Sequence, residues 1–117
     1  MTKNLLSTTL LASAMALPIA GTFAEAALAA KDNFVVYNDS RLTIVELYVS
    51  ASNRTTWDNN ILNGDVLGSG DSTRVVFGDP SPSTCLYDIL AVFADGQTVE
   101  DYQINVCDST GYTFYDQ

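Results

Sequence analysis

Residues 85–107 constrain the fold of this chain more than any other stretch. Two strand-like runs flank Asp95-Gly96, a dipeptide that strongly favours a β-hairpin turn. The two cysteines of the chain, Cys85 and Cys107, stand at the outer ends of these runs. Disulfides persist mainly in exported proteins, and a disulfide here would clamp the open end of the hairpin. The segment therefore predicts a disulfide-bonded hairpin in an oxidising compartment, and it indicates no activity.

The cysteine positions also restrict the turn. A two-residue turn at Asp95-Gly96 would place Cys85 and Cys107 on opposite faces of the sheet, where they could not be joined. A three-residue turn, or one bulge, places both on one face. The opposite face is then the predicted core face, and it carries Leu86, Leu90 and Val92 with Tyr102, Ile104 and Val106.

Asp88 falls on this predicted core face. A buried carboxylate needs a compensating partner, so we expect an ion pair with Arg41, Arg54 or Arg74, or hydrogen bonds from the backbone. This structural role is favoured over a catalytic one.

The N-terminus has the pattern of a secretory signal peptide over residues 1–29. Lys3 supplies a basic start, an apolar run covers residues 5–20, and small-residue cleavage patterns end at Ala26 and Ala29. An uncleaved membrane anchor is the alternative, but Pro18 and several hydroxyl residues dilute the apolar run. Cleavage leaves a single domain, residues 30–117 when it follows Ala29, in a secreted or periplasmic location.

The net charge of the chain limits the classes of partner that it can bind. The chain has a net charge of -9, and residues 30–117 keep only four cations: Lys31, Arg41, Arg54 and Arg74. Nucleic acids and anionic membranes need clustered cations, so we expect neither as a partner, and no membrane span after signal cleavage. An acidic surface favours solubility, a bound cation or a basic protein partner. Nothing in the sequence indicates an oligomeric state.

Short apolar runs separated by turn residues predict an all-β fold. The expected strands are residues 33–37, 42–49, 74–77, the two arms of the hairpin, and 112–115. About six strands with almost no helix indicate a small antiparallel β-sandwich, with a small barrel as the alternative.

The longest irregular region, residues 50–70, is the candidate binding loop. Residues 57–62 could form one helical turn that ends at Asn63-Gly64. The Trp57 ring could offer an aromatic platform to a ligand or could instead plug the end of the sandwich. The candidate binding residues are Trp57, Asp58, Asn59, Asn60 and Asp65.

No cofactor is expected, and calcium is the alternative. Asp58, Asn60 and Asp65 are oxygen ligands of the type that calcium prefers, but their spacing does not match the EF-hand pattern. The same residue types are common in turns for conformational reasons, and the turn interpretation is favoured.

The residues that most enzymes of this size use are missing. The chain has no histidine, which removes the usual general base, the Ser-His-Asp arrangement and the commonest zinc ligand. Glu100 and Asp101 are neighbours on a predicted strand, so their side chains point to opposite faces. We therefore expect no catalytic residues and a protein that is not an enzyme.

An ordered set of motifs covers nearly all of residues 30–117. It resembles a family of small exported bacterial β-sandwich domains of unknown function, some of whose members are misnamed argininosuccinate lyase. The resemblance implies a β-sandwich with one disulfide and no catalytic residues. The chain departs from the family at residues 38–40, where Thr-Gly is usual, and at Asp58, where Gly is common. The motifs are Asn38, Ile44 with Leu47-Tyr48-Val49-Ser50, Trp57, Gly70-Asp71-Ser72, Cys85 with Tyr87-Asp88-Ile89, Asp95-Gly96 and Cys107.

The leading functional hypothesis is an exported, non-enzymatic interaction module. The first alternative is an inhibitor of a cationic extracellular enzyme such as lysozyme, which the acidity and small size suit. The second alternative is a calcium-stabilised structural module.

Overall fold

The structure is a computed structural model that describes residues 2–3, 20–79 and 81–117. Within these residues the strands form two three-stranded sheets, with the orders β3-β1-β6 and β2-β4-β5. This arrangement confirms the predicted small all-β, sandwich-like fold. The elements are α1 Ala20–Asp32, β1 Val35–Asp39, β2 Ile44–Ala51, β3 Ser72–Arg74, β4 Leu86–Phe93, β5 Thr98–Asn105 and β6 Gly111–Tyr115.

One strand pair departs from the antiparallel pattern that the sequence predicts. β1 is antiparallel to β3 but parallel to β6, whereas β2, β4 and β5 are antiparallel throughout. β6 starts at Gly111, opposite Val35, where an added Cβ would lie 2.5 Å from the Val35 carbonyl oxygen. The close approach of these two strands therefore requires glycine at this position.

The apolar core lies between the two sheets. The Phe93 ring of one sheet meets the edge of Phe114 from the other, with 6.1 Å between the ring centroids. Burial of such side chains is the main favourable term in the folding of a small domain. The buried core residues are Phe34, Val36, Ile44, Leu47, Val49, Leu62, Leu67, Val75, Tyr87, Ile89, Ala91, Phe93, Val106 and Phe114.

The β4–β5 hairpin contains both a three-residue turn and a bulge, which the sequence presented as alternatives. Together they restore the odd register, with Leu86 opposite Asn105, so Cys85 and Cys107 meet just beyond the ladder rather than on one face of it. Its turn has three residues, because the Phe93 amide donates to the Gln97 carbonyl at 2.8 Å, and Gly96 has a φ of 87°. A bulge follows between the pairs Ile89–Asp101 and Tyr87–Ile104. The predicted Cys85–Cys107 disulfide is present, with 5.3 Å between the Cα atoms.

The predicted core face was wrong for the β4 arm of the hairpin, whereas Val106 of the other arm is in the core and Ile104 packs against it. The core contains Tyr87, Ile89, Ala91 and Phe93, so Leu86, which is exposed, and Asp88 belong to the opposite face of β4. The bulge adds one residue to β5 and reverses its alternation of faces. Ile104 and Val106 lie beyond this bulge. A pairing drawn from them without the bulge therefore assigns the wrong residues of β4 to the core face.

Two local predictions also differ from the structure. The third strand is Ser72–Arg74 rather than residues 74–77, because its ladder with β1 ends at the Val35–Arg74 pair. The proposed helical turn at residues 57–62 does not form. The chain instead makes a turn at residues 61–64, in which Asn63 and Gly64 both have positive φ.

The helix α1 contains both predicted cleavage points, after Ala26 and after Ala29. Most of the predicted signal peptide, residues 1 and 4–19, lies outside the described residues. Among the residues described, no helix has the length and apolar character needed to cross a membrane. The signal peptide and the 30–117 domain boundary stay predictions.

Removing the disulfide should destabilise the fold substantially. Closing a loop with a sequence separation of 22 residues restricts the unfolded chain. We expect the Cys85→Ser/Cys107→Ser double variant to lose about 3 kcal/mol of unfolding free energy. Urea denaturation measures this loss, and the wild-type chain in reducing agent should unfold at the same urea concentration as the variant. Equal midpoints for the oxidised wild type and the double variant would contradict the assigned role.

Candidate binding site at the Trp57 cleft

One cleft in the described part of the chain has a volume of about 930 Å³. We name it the Trp57 cleft. Its lining comes from the end of β2 and the loop that follows it, from residues 75–79 after β3, and from Tyr87 of β4. The cleft therefore opens between two loops that the β-sandwich holds in place, which is a common position for a binding site.

Trp57 lies at the centre of this region. Its side chain is buried, although one part of the ring lines the cleft. The ammonium of Lys3 stands 5.0 Å from the centre of the same ring, a distance at which a cation is attracted to an aromatic face. Trp57 thus combines the two roles considered from the sequence, since it is packed and still presents a surface to a ligand.

The rim of the cleft carries mixed charge. Arg54 and Asp58, which are four residues apart in the sequence, form an exposed ion pair at 3.4 Å. Asp79 stands on the opposite loop. The pKa of Asp79 is lowered, mainly by the hydrogen bond that the Ser81 amide donates, then by Thr84, with a smaller effect from the Lys31 charge. The rim therefore carries two carboxylates, Asp58 and Asp79, and the guanidinium of Arg54.

The predicted binding residues are only partly brought together. Trp57, Asp58 and Asn59 line the Trp57 cleft. The Asn60 side-chain oxygen instead accepts hydrogen bonds from the amides of Leu47, at 3.0 Å, and Leu62, at 3.1 Å. Asp65 lines a different depression beside Val66. Asn60 thus fastens the loop to β2, and Asp65 belongs to another surface.

This geometry gives the calcium hypothesis no positive support. Asp58, Asn60 and Asp65 do not share a pocket, and the Asn60 oxygen is already engaged by two amides. Within residues 2–3, 20–79 and 81–117, no group of three histidine, cysteine, aspartate or glutamate side chains could hold a metal ion. A calcium site stays a prediction from the sequence.

Asp88 forms a second charged element behind Trp57. Its side chain is fully buried on β4, facing away from the apolar core. One carboxylate oxygen, Oδ1, accepts hydrogen bonds from the Ser52 hydroxyl at 2.6 Å and the Gln103 amide at 3.0 Å. Gln103 occupies the β5 bulge with a φ of 57°, so this carboxylate stabilises the bulge.

The expected arginine partners of Asp88 were wrong. Its other oxygen, Oδ2, lies 3.1 Å from the Lys3 ammonium, and both side chains are fully buried. No directed hydrogen bond reaches Oδ2 in the described structure, so this contact is an ion pair held by charge. Sequence reasoning recognised that Asp88 needs a partner, but it treated Lys3 only as part of the export signal.

Lys31 ties the end of α1 to the loop between β3 and β4. Its ammonium donates to the carbonyls of Ser81 at 3.1 Å and Thr84 at 2.9 Å. The same ammonium lies 5.0 Å from the centre of the Tyr87 ring. Burial lowers the pKa of Lys31, while Asp79 and Asp32 act against this shift. These contacts make Lys31 an internal anchor.

Tyr87 packs at the base of the cleft with an unsatisfied hydroxyl. Its oxygen is buried and has no hydrogen-bond partner among the described residues. Burial is the main reason that the pKa of Tyr87 rises from 10.0 to about 12. The neutral phenol is therefore favoured in the folded state, and its contribution to stability is complete below pH 10 and lost between pH 10 and about 12.

The variant Tyr87→Phe should keep or raise stability. Removing a buried hydroxyl that makes no hydrogen bond is expected to raise the unfolding free energy by up to about 1 kcal/mol. The variant should also lose less stability than the wild type between pH 10 and 12. Urea denaturation at neutral and alkaline pH measures both effects, with Tyr115→Phe, whose ring is exposed, as the neutral-pH control. A loss of stability in Tyr87→Phe at neutral pH would show that the hydroxyl is bonded.

Comparisons with known protein families, with curated proteins and with solved structures each found no match. The resemblance to small exported β-sandwich domains therefore stays a prediction from the motifs.

Proposed function

We propose that this protein is an exported, non-enzymatic binding module that holds a basic protein partner at the Trp57 cleft. The observation that carries the proposal is the cleft itself, in which aromatic and aliphatic surface is bordered by two carboxylates, Asp58 and Asp79. Val76 lies on this surface and is 77% exposed. An exposed apolar contact beside a charged rim is the usual composition of a protein interface.

The charge of the whole chain supports a basic partner. A net charge of -9 attracts a cationic protein over a distance and raises its association rate at low ionic strength. The export signal in residues 1–29 and the disulfide support a role outside the cytoplasm. The absence of histidine from the sequence supports a binding role over catalysis.

Inhibition of a cationic extracellular enzyme, such as lysozyme, would be a narrower form of this function. The same cleft and the same charge would serve it, with the inhibitor covering the enzyme's active site. An assay of lysozyme activity with excess protein separates the two, since an unchanged rate removes this example and leaves the general proposal standing.

The cleft can be tested with one substitution on its surface. Val76→Lys adds a cation at an exposed position, so it should repel a basic partner without disturbing the core. Val66→Lys is the matched control, because Val66 is also exposed, at 57%, but lies outside the Trp57 cleft. Each variant is immobilised and exposed to periplasmic and culture fluid of the producing organism at low and high salt.

We expect the wild type and Val66→Lys to retain the same basic protein, and Val76→Lys to lose it. Retention should also fall as the salt concentration rises, because charge contributes to the encounter. Equal retention by the two lysine variants would place binding elsewhere, and retention of no basic protein by the wild type would overturn the proposal.

A further inference from the structure

We infer that Asp88, Ala51 and Trp57 form a receptor for the primary ammonium of a lysine in an extended peptide segment. In the described structure Lys3 of the same chain occupies this receptor. We call it the ammonium receptor. The inference rests on the proposed function, since it names the group by which a basic partner would be recognised at the edge of the Trp57 cleft.

Three kinds of contact recognise the Lys3 ammonium. The Asp88 carboxylate lies 3.1 Å away and supplies an opposite charge. The Ala51 carbonyl accepts a hydrogen bond at 2.8 Å. The Trp57 ring lies at 5.0 Å and adds a cation–π contact. A carboxylate, a neutral acceptor and an aromatic face together satisfy one tetrahedral ammonium after it leaves water.

The backbone of the bound segment is recognised as well. The Lys3 amide donates to the Thr55 carbonyl at 3.1 Å, and Thr2 forms an antiparallel bridge with Thr56. The segment therefore docks as a short added strand with its lysine side chain in a pocket. Strand addition with a side-chain pocket is a recurrent way of binding peptides.

The other cations of the chain are engaged elsewhere. Arg41 pairs with Asp116, and Arg54 pairs with Asp58. Arg74 donates to the Asp32 carbonyl. The chain contains five lysine and arginine residues in all, and Lys31, the remaining one, is bonded to the carbonyls of Ser81 and Thr84. Lys3 is thus the cation that neutralises Asp88.

Cleavage of the predicted signal peptide would remove Lys3 and leave Asp88 in place. Oδ2 would then lose its ion-pair partner, since the two hydrogen bonds described for the carboxylate go to Oδ1. Ser50, which is paired with Asp88 across the strands, also has no hydrogen-bond partner for its hydroxyl among the described residues. After cleavage these two neighbouring polar groups would lack partners within the described part of residues 30–117, which points to a ligand that completes them.

The geometry favours lysine over arginine. A single nitrogen reaches both Asp88 and Ala51 and still approaches the Trp57 face. The planar guanidinium spreads its donors over a wider fork, which suits a bidentate carboxylate contact rather than this convergent one. The receptor is therefore expected to select a primary ammonium.

The test uses the full-length chain, produced in an oxidising cytoplasm so that the N-terminal segment is retained. Lys3→Ala empties the receptor, and the wild type keeps it occupied. The probe is the blocked tetrapeptide acetyl-Met-Thr-Lys-Asn-amide, which copies residues 1–4. Matched peptides carry Nε-acetyl-lysine or arginine in place of lysine. Binding is followed by the fluorescence of Trp57, the sole tryptophan of the chain.

We expect the Lys3→Ala chain to bind the lysine peptide and to bind the Nε-acetyl-lysine peptide at least about tenfold more weakly. The wild-type chain should bind the lysine peptide at least about tenfold more weakly than Lys3→Ala, because its own Lys3 competes at an effective concentration near the millimolar range. Adding Asp88→Asn to Lys3→Ala should abolish the preference for lysine. The exported chain, once processed, should bind as Lys3→Ala does.

Equal affinity for the lysine and Nε-acetyl-lysine peptides would overturn the inference, as would failure of Lys3→Ala to bind either one. These outcomes do not depend on Asp88→Asn folding correctly. If the chain retains a basic protein and excess lysine peptide does not displace it, the proposed function stands and the receptor is refuted. Peptide binding without retention of any basic protein would preserve the receptor and refute the proposed partner.

Discussion

The buried carboxylate of Asp88 is the constraint around which the second sheet is organised. Asp88 lies on the central strand β4 and bonds to Ser52, just after β2, and to Gln103 in the bulge of β5. One side chain therefore connects the three strands of the sheet. A carboxylate removed from water is costly unless it is paired, so the same group also requires a cation at its free oxygen. Lys3 meets this requirement in the described structure.

The disulfide and the apolar core hold in place the strands that position the Asp88 carboxylate. The disulfide closes the chain just beyond the β4–β5 ladder, and the Phe93–Phe114 contact joins the two sheets. The Asn60 side-chain oxygen accepts hydrogen bonds from the amide of Leu47 in β2 and from that of Leu62 in the long loop itself, which fastens the loop to β2. The Trp57 cleft and the ammonium receptor thus share Trp57 and Ala51 and depend on the same loop.

Local signals in the sequence were enough to predict the class of fold. Asp95-Gly96 and the two cysteines predicted the hairpin and the disulfide, because turn signals are local. They left a three-residue turn and a bulge as alternatives, and the structure contains both. The core face of β4 could not be predicted in the same way, since the bulge at Gln103 changes the alternation and depends on a hydrogen bond from a distant residue. The partner of Asp88 was also missed because it is distant in sequence. Lys3 is 85 positions away and belongs to a segment interpreted only as an export signal. Of the candidate binding residues, Trp57, Asp58 and Asn59 line one cleft, whereas Asn60 bonds to the backbone and Asp65 lines another depression.

The most direct test of this account is an NMR measurement on the uncleaved chain. Nuclear Overhauser effects between the Lys3 side-chain methylene protons and the Trp57 indole protons report whether Lys3 occupies the receptor. The account predicts these effects, together with a Lys3 ammonium signal that is protected from exchange with water. Random-coil shifts for Lys3, with no contact to Trp57 in a chain whose Gln103 amide is still hydrogen-bonded, would contradict it.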